Sequence, residues 1–385
     1  MRDLSIIIPC LNEAETLGNC ILKGRKSIEV LKLDGEIIVA DNGSTDGSLE
    51  IARDLGARVV HVNEKGYGNA LRGGIEAAAG KWIIMADADD SYDLGHIAPF
   101  VEKLKAGYDL VMGCRLPKGG GKIMEGAMPW KHRWVGNPAL SGIGRLFFKS
   151  RVTDFHCGMR AFTRKAYRQI TPKTTGMEFA SEMVIKATLQ GLRIGEVPIT
   201  LYKDGRSRPP HLRSWRDGWR HLRFMLLYSP TWLFLIPGVL LLLAGTAFGA
   251  RLQMGPWKVG PFGFDTNTML VCSMCQVVGL QILFFGIFTR VFAISEGLLP
   301  ETASPLDHIY KLFSLERGVL LGLVICLVGL AKLIMAVLYW KGVHFGALSY
   351  PESLRQVIPA VTFVTIGIQV IFFSFFLSIL SLPRK

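Results

Sequence analysis

No glycine-rich phosphate loop follows the first apolar run of this 385-residue chain. The run LSIIIP (4–9) leads into IPCLNEAET, which lacks the GxGxxG spacing that brings a helix N-terminus against a pyrophosphate, so a dinucleotide fingerprint is excluded there. GYGNALRGG (66–74) holds glycines without the rest of that context. An export signal is also missing. The opening MRDLSIIIPCLNE has an apolar core of only a few residues before Asn12 and Glu13, and it reads as a buried strand. This part of the chain is therefore expected to stay in the cytosol. The seven cysteines are an odd number and suggest no disulfide framework. Cys272 and Cys275 form a CxxC inside an apolar run, with no second pair and no histidine beside it, and read as small packing residues. Acidic residues are the scarcer charge, 31 against 44 basic, for a formal net charge of +13. The excess gathers at one internal boundary, which argues against nucleic-acid binding.

Half of the residues are hydrophobic, a high share for a soluble protein, and they are spread unevenly. Up to about residue 205 short apolar runs alternate with helix-like stretches. LSIIIP, EIIVAD (36–41), ARVVHV (57–62), KWIIMAD (81–87) and YDLVMG (108–113) read as strands, with amphipathic helices between them. That alternation predicts an α/β domain with a mainly parallel sheet and a ligand crevice at the carboxyl ends of the strands. Four later runs, approximately 232–250, 268–289, 318–340 and 358–380, are long enough to cross a ~30 Å bilayer core as helices of roughly 20 residues. The expected division is thus a catalytic domain at 1–205, a linking segment at 206–229 and a membrane domain at 230–385. An even number of spans returns the C-terminus to the side of the first domain. Basic residues around the first span and in the C-terminal tail favour a cytoplasmic face for both. In the linking segment Leu212, Trp215, Trp219, Leu222 and Leu226 recur at intervals of three and four, surrounded by Arg213, Arg216, Arg220, His221 and Arg223. A basic, Trp-bearing amphipathic helix suits the headgroup plane of a membrane, or else a solvated face packed on the catalytic domain.

The acidic residues are as concentrated as the basic ones. IIMADADDSYD (83–93) leaves a strand and carries Asp87, Asp89, Asp90 and Asp93. Residues i and i+2 of an extended chain point the same way, so Asp87 and Asp89 can converge on one ligand. Mg²⁺ or Mn²⁺, held by one or two carboxylates and a substrate diphosphate, would offset their repulsion. Asp90 and Asp93 read instead as the capping end of that turn. A second acidic turn, IIVADNGSTDGS, places Asp41 at the end of another strand. Two acidic strand ends in one parallel sheet would face one crevice.

IPCLNEAE, DNGSTDGS, MADADDSYD, GCR and DFHCGMRAF, in that order, resemble glycosyltransferase family 2, and within it the polyprenyl-phosphate sugar synthases. The resemblance covers roughly residues 4–210. It implies a GT-A, Rossmann-like nucleotide-sugar fold. It also implies that Pro9, Leu11 and Glu13 line the nucleotide pocket and that Val39 and Asp41 meet the base and ribose. Asp87, Ala88 and Asp89 would hold the sugar nucleotide, with Asp89 the chief metal ligand. Arg115 would lie beside the diphosphate and acceptor phosphate as a catalytic group, and Arg133 and Asn137 would contact the acceptor phosphate. Arg208 would close the basic loop before the membrane and touch the donor. Two positions depart from the pattern. Ser91 stands where relatives often have a metal-binding Gln, and Tyr202 where they have an Arg, with Lys203 the nearest basic side chain.

The implied activity is inverting transfer of a hexose from a UDP- or GDP-sugar to dolichyl or undecaprenyl phosphate, with Mg²⁺ or Mn²⁺ as cofactor. The partners are then a nucleotide sugar, a polyprenyl phosphate and the membrane, with no nucleic acid and with a homo-oligomer left open. An already anionic acceptor needs no strong base; Glu182 is the one acidic residue weighed for orienting it, against a structural role. Transfer to diacylglycerol or to a growing polysaccharide is the nearest alternative, although no QxxRW motif is present: KHRW (131–134) lacks the Gln. A transporter with a nucleotide-sensing domain is the other. Its spans would hold few charges, Lys332 being the exception.

Overall fold

The computed structural model describes residues 2–207, 214–296, 299 and 314–380. Two compact units make up the chain, Met1–Met225 and Leu226–Lys385.

The first unit is built on a seven-stranded sheet. Its strands are β1 (Arg2–Cys10), β2 (Gly35–Asp41), β3 (Arg58–His61), β4 (Gly80–Met85), β5 (Leu110–Cys114), β7 (Arg160–Thr163) and β8 (Ile194–Pro198), in the spatial order β3-β2-β1-β4-β7-β5-β8. A two-stranded sheet pairs β6 (Lys122–Ile123) with β9 (Thr200–Leu201). The α-helices of this unit are α1 (Leu17–Val30), α2 (Ser48–Asp54), α3 (Tyr67–Ala77), α4 (Ala98–Lys105), α5 (Asn137–Phe148), α6 (Arg164–Ile170), α7 (Phe179–Leu189) and α8 (Ser214–Leu227). β1 is buried from Leu4 to Cys10 without alternation, as a central strand covered on both faces must be. The parallel sheet read from the sequence is present, with one departure. β7 enters antiparallel between β4 and β5. Its four residues follow a long excursion from β5, and no short pattern marks that reversal.

β1 pairs with β2 on one side and β4 on the other. This is the switch point at which strand order reverses, where open α/β sheets bind ligands beyond their carboxyl ends. Cys10 aligns with Asp41 and Ile7 with Met85, so Asp41 and the Asp87–Asp89 segment leave the sheet at the same edge, flanking the end of β1.

The second unit contains four helices long and apolar enough to cross a membrane: Thr231–Gln253, Thr266–Ser295, Leu315–Gly342 and Tyr350–Leu380. The first and second pack closely where Gly279 meets Gly238, and the third and fourth where Gly322 meets Gly367. A Cβ on Gly367 would lie 2.6 Å from the Cys326 amide nitrogen, so only glycine lets these backbones approach. Cys272 packs near Gly249 of the first span, a small residue filling a helix seam. The fourth helix starts earlier than its apolar run, so Pro359 lies inside it. Proline cannot donate to the carbonyl four residues before it. That carbonyl, of Arg355, instead accepts from Gln253 Nε2 at 2.9 Å. Arg355 also pairs with Asp265 at 2.5 Å, tying together the ends of the first, second and fourth helices.

Candidate active site

The loop that follows β1 joins the two acidic turns. On one side the Asn12 amide donates to Ser44 Oγ (3.0 Å), that of Glu13 to Ser48 Oγ (2.9 Å) and that of Ala14 to Asp46 Oδ2 (3.0 Å). On the other, Thr16 Oγ1 donates to the Ala88 carbonyl at 2.7 Å. The two strand ends predicted to face one crevice are therefore bridged by one loop. Asp41 accepts from the Ser44 amide (2.9 Å) and the Gly43 amide (3.1 Å), with His61 Nδ1 at 3.3 Å. Burial alone would raise its carboxyl; these hydrogen bonds prevail and hold it below the usual range. Pro9 and Leu11 lie at this end of β1, and Leu11 is exposed. Val39 and Ala88 have their side chains in the core, so they shape the floor of the crevice rather than its surface.

Asp87 accepts from the Tyr67 hydroxyl at 2.7 Å. Burial, and then the Asp89 charge, push its carboxyl up to about 6. A Cβ on Gly158 would collide with Asp87 Oδ2, so the HCG turn closes one flank of this carboxylate. Asp89 Oδ1 accepts from Ser91 Oγ (2.6 Å) and the Ser91 amide (3.1 Å). Its Oδ2 is held by Arg206, which also reaches Glu13 Oε1 at 3.4 Å. Asp90 pairs with Lys23 at 2.7 Å, and Asp93 caps the short helical turn Leu94–His96, accepting from the Gly95 amide at 2.8 Å. Asp93 thus caps as read, whereas Asp90 ties the turn to α1 instead of capping it.

Two carboxylates of hard oxygen chemistry suit a divalent cation whose remaining ligands are diphosphate oxygens and water. No set of three His, Cys, Asp or Glu side chains converges on a metal position among the described residues. The protein could thus supply Asp87 and Asp89, and Ser91 adds no carboxylate.

Arg115 is buried. Its Nε and Nη2 contact Asp154 at 2.8 and 2.9 Å, with Nη1 3.4 Å from the Tyr92 hydroxyl. Tyr92 Oη accepts from the Gly158 amide at 3.0 Å, so Arg115 braces the turn against Asp87. Glu182 is fully buried. It pairs with Lys186 (2.7 Å) and accepts from the Lys173 and Thr174 amides (2.9 and 2.8 Å), which is the structural role.

Arg133 lies in a π-helical turn, His132–Gly136, and Asn137 opens α5 one turn later. The Arg133 guanidinium stands 5.3 Å from the Trp134 ring, and its shielded Nε has no hydrogen-bond partner among the described residues. Asn137 Nδ2 contacts Met128 Sδ at 3.3 Å. Trp130, Trp134 and Val135 are exposed around them. On α8, His221, Phe224 and Met225 are the buried face, and the Ser181 hydroxyl lies 2.8 Å from His221 Nδ1. Trp215 is 93% exposed and Trp219 58%. The tryptophans of the anticipated apolar face thus point away from the domain. Leu212, Arg213 and Arg208 lie outside the described residues.

Tyr67, Tyr92, Asp154 and Arg206 were not anticipated as site residues. Tyr67 had a faint signal in GYGN; Arg206 is one basic residue among many in its segment, and only the folded chain brings it to Asp89.

A central crevice at the switch point, two acidic strand ends and trailing membrane helices describe a GT-A enzyme domain on a membrane anchor. Comparison with known proteins agrees. The model of glycosyl transferase family 2 matches residues 5–171, and that of the glycosyltransferase family 2 C-terminal transmembrane region matches 287–381. The low-salt glycan biosynthesis hexosyltransferase Agl6 of Haloferax volcanii is 37% identical over 97% of this chain and 88% of its own. The glycosyltransferase AglJ of the same organism is 29% identical over 74% and 91%. Its dolichyl-phosphate hexose transferase is 30% identical over 51% and 82%. The chain belongs to glycosyltransferase family 2, and it is a multi-pass membrane protein.

Proposed function

We propose that the protein transfers a hexose, with inversion, from a nucleoside-diphosphate sugar to a polyprenyl phosphate at the cytoplasmic membrane face. The observation that carries this reading is the crevice at β1, where Asp87 and Asp89 lie beside Glu13 and across from Asp41. Asp41 and the pocket residues Pro9, Leu11 and Glu13 bind the nucleoside; Val39 and Ala88 form the floor beneath it. Asp89, with Asp87, holds Mg²⁺ or Mn²⁺, which when bound neutralises the diphosphate leaving group. Tyr67 orients Asp87, and the Arg115–Asp154 pair fixes the turn that walls it. Arg115 acts here as a positioning residue.

Arg133, with an unmatched donor, and Asn137 take the acceptor phosphate. A guanidinium suits phosphate because its fork donates two parallel hydrogen bonds. The phosphate is anionic at neutral pH, so its oxygen attacks the anomeric carbon without a strong base and the sugar inverts. Arg208 adds a cation at the donor. The exposed tryptophans of 130–135 and of α8, set among Lys131, Arg133, Arg216 and Arg220, suit the depth at which a lipid phosphate presents its head. The printed names of the H. volcanii relatives, a hexosyltransferase and a dolichyl-phosphate hexose transferase, support the sugar and acceptor classes.

The test is a panel. Purified protein is incubated with UDP- and GDP-hexoses, Mn²⁺ or Mg²⁺, and polyprenyl phosphate. Lipid-soluble sugar should appear with one nucleoside diphosphate released per transfer. Sugar on diacylglycerol alone, or no turnover of any donor, contradicts the reading.

A further inference from the structure

Residues 202–207 run as a strap across the acidic crevice and are fastened at successive points. The Tyr202 amide donates to the Ser91 carbonyl (3.0 Å) and the Gly205 amide to that of Asp89 (3.1 Å). Ser207 donates its amide (2.7 Å) and its hydroxyl (2.5 Å) to Glu15. Between these ties the Arg206 guanidinium is driven inward, its side chain only 9% exposed, onto both Asp89 and Glu13. Its buried Nε has no hydrogen-bond partner among the described residues. A further acceptor would be bound by this unused donor at little desolvation cost.

Arg206 and a divalent cation would seek the same Asp89 oxygens, and two cations there repel each other. We propose that Arg206 is the resident counter-ion of the donor site. It occupies Asp89 until a metal–diphosphate pair arrives, and then exchanges the carboxylate for diphosphate oxygens. This inference rests on the metal role of Asp89 proposed above. It gives the residue two consequences. Metal alone must displace a bonded guanidinium and binds weakly. Metal with a nucleoside diphosphate offers the guanidinium a new anion, so each ligand strengthens the other. The strap is fastened to the same carboxylate, so the exchange also loosens the cover of the crevice.

The experiment measures Mn²⁺ binding to the full chain in detergent, from the spectrum of free Mn²⁺, alone and with UDP or GDP. Wild type, Arg206→Gln and Arg206→Lys are compared, with thermal unfolding as a check on folding. Arg206→Gln should bind Mn²⁺ alone roughly tenfold more tightly than wild type, the order expected when one charged partner is removed. Its gain from nucleotide should shrink. Arg206→Lys keeps the charge and should stay near wild type without nucleotide. Unchanged Mn²⁺ affinity in Arg206→Gln, with nucleotide-assisted binding intact in wild type, overturns this inference alone. Absence of Mn²⁺ binding to wild type even with nucleotide overturns the metal reading, and this inference with it.

Discussion

Asp87 and Asp89 stand two residues apart beyond the end of one strand, yet the fold gives them different company: a tyrosine hydroxyl for one, an arginine for the other. The sequence led to an expectation of a shared direction from strand geometry, but β4 ends at Met85 and both carboxylates stand in the loop and turn beyond it. Their partners were not legible in the sequence, because Tyr67 and Arg206 arrive from 20 and 117 positions away. Arg133 shows the same limit from the other side, since its identity as a cation was readable and its unmatched Nε was not. Arg133→Ala should raise the apparent KM for lipid phosphate roughly tenfold or more, the scale of a charge-assisted hydrogen bond, with little change in nucleotide affinity. Steady-state kinetics varying each substrate check this; equal loss for both contradicts it. Glu182 offers a pH test. Burial alone would raise its carboxyl, but Lys186 and Thr174 hold it below its ordinary 4.5. A depressed acid contributes stability above its unfolded value and loses it as pH falls through the folded one. Glu182→Gln should therefore be less stable than wild type at pH 7, by roughly 1–3 kcal/mol. That gap should close below pH 4.5, as followed by thermal unfolding at each pH.

Among the elements, the five strands named from apolar runs all form, because each is a short β-branched stretch closed by a turn. β7 escaped notice. RAFT begins with an arginine whose guanidinium is fully buried and donates to the Ala180 carbonyl at 2.7 Å, a pairing that no local pattern announces. α8 shows sequence periodicity and packing giving different answers. The Trp stripe was legible as one face, but the face that packs on the catalytic unit carries His221, Phe224 and Met225. Trp215 and Trp219 are thus left exposed, as the membrane contact proposed above requires. Replacing Trp215 and Trp219 together with Ser should lower activity on membrane-embedded acceptor several-fold while sparing activity on a short-chain, water-soluble acceptor. Each buried aromatic at such an interface contributes on the order of 1 kcal/mol or more. Equal activity loss with both acceptors would remove α8 from the interfacial role.

On the scale of the molecule, the chain forms two compact units, Met1–Met225 and Leu226–Lys385. Apolar runs marked four spans, and the helices extend past most of them because hydropathy stops at the bilayer edge and hydrogen bonding does not. The fourth helix continues through Pro359 since Gln253, from another span, takes the freed carbonyl. That compensation is tertiary and has no trace in the local sequence. In the proposed reaction, carboxylates beyond the end of β4 act through a cation on a diphosphate. Its most direct test is the rate of sugar transfer to polyprenyl phosphate by wild type and Asp89→Asn across a Mn²⁺ titration. The substitution removes charge and keeps shape, so folding should be retained while transfer falls at least about a hundredfold at every metal concentration. Transfer at the wild-type rate, with the wild-type metal dependence, would contradict the account.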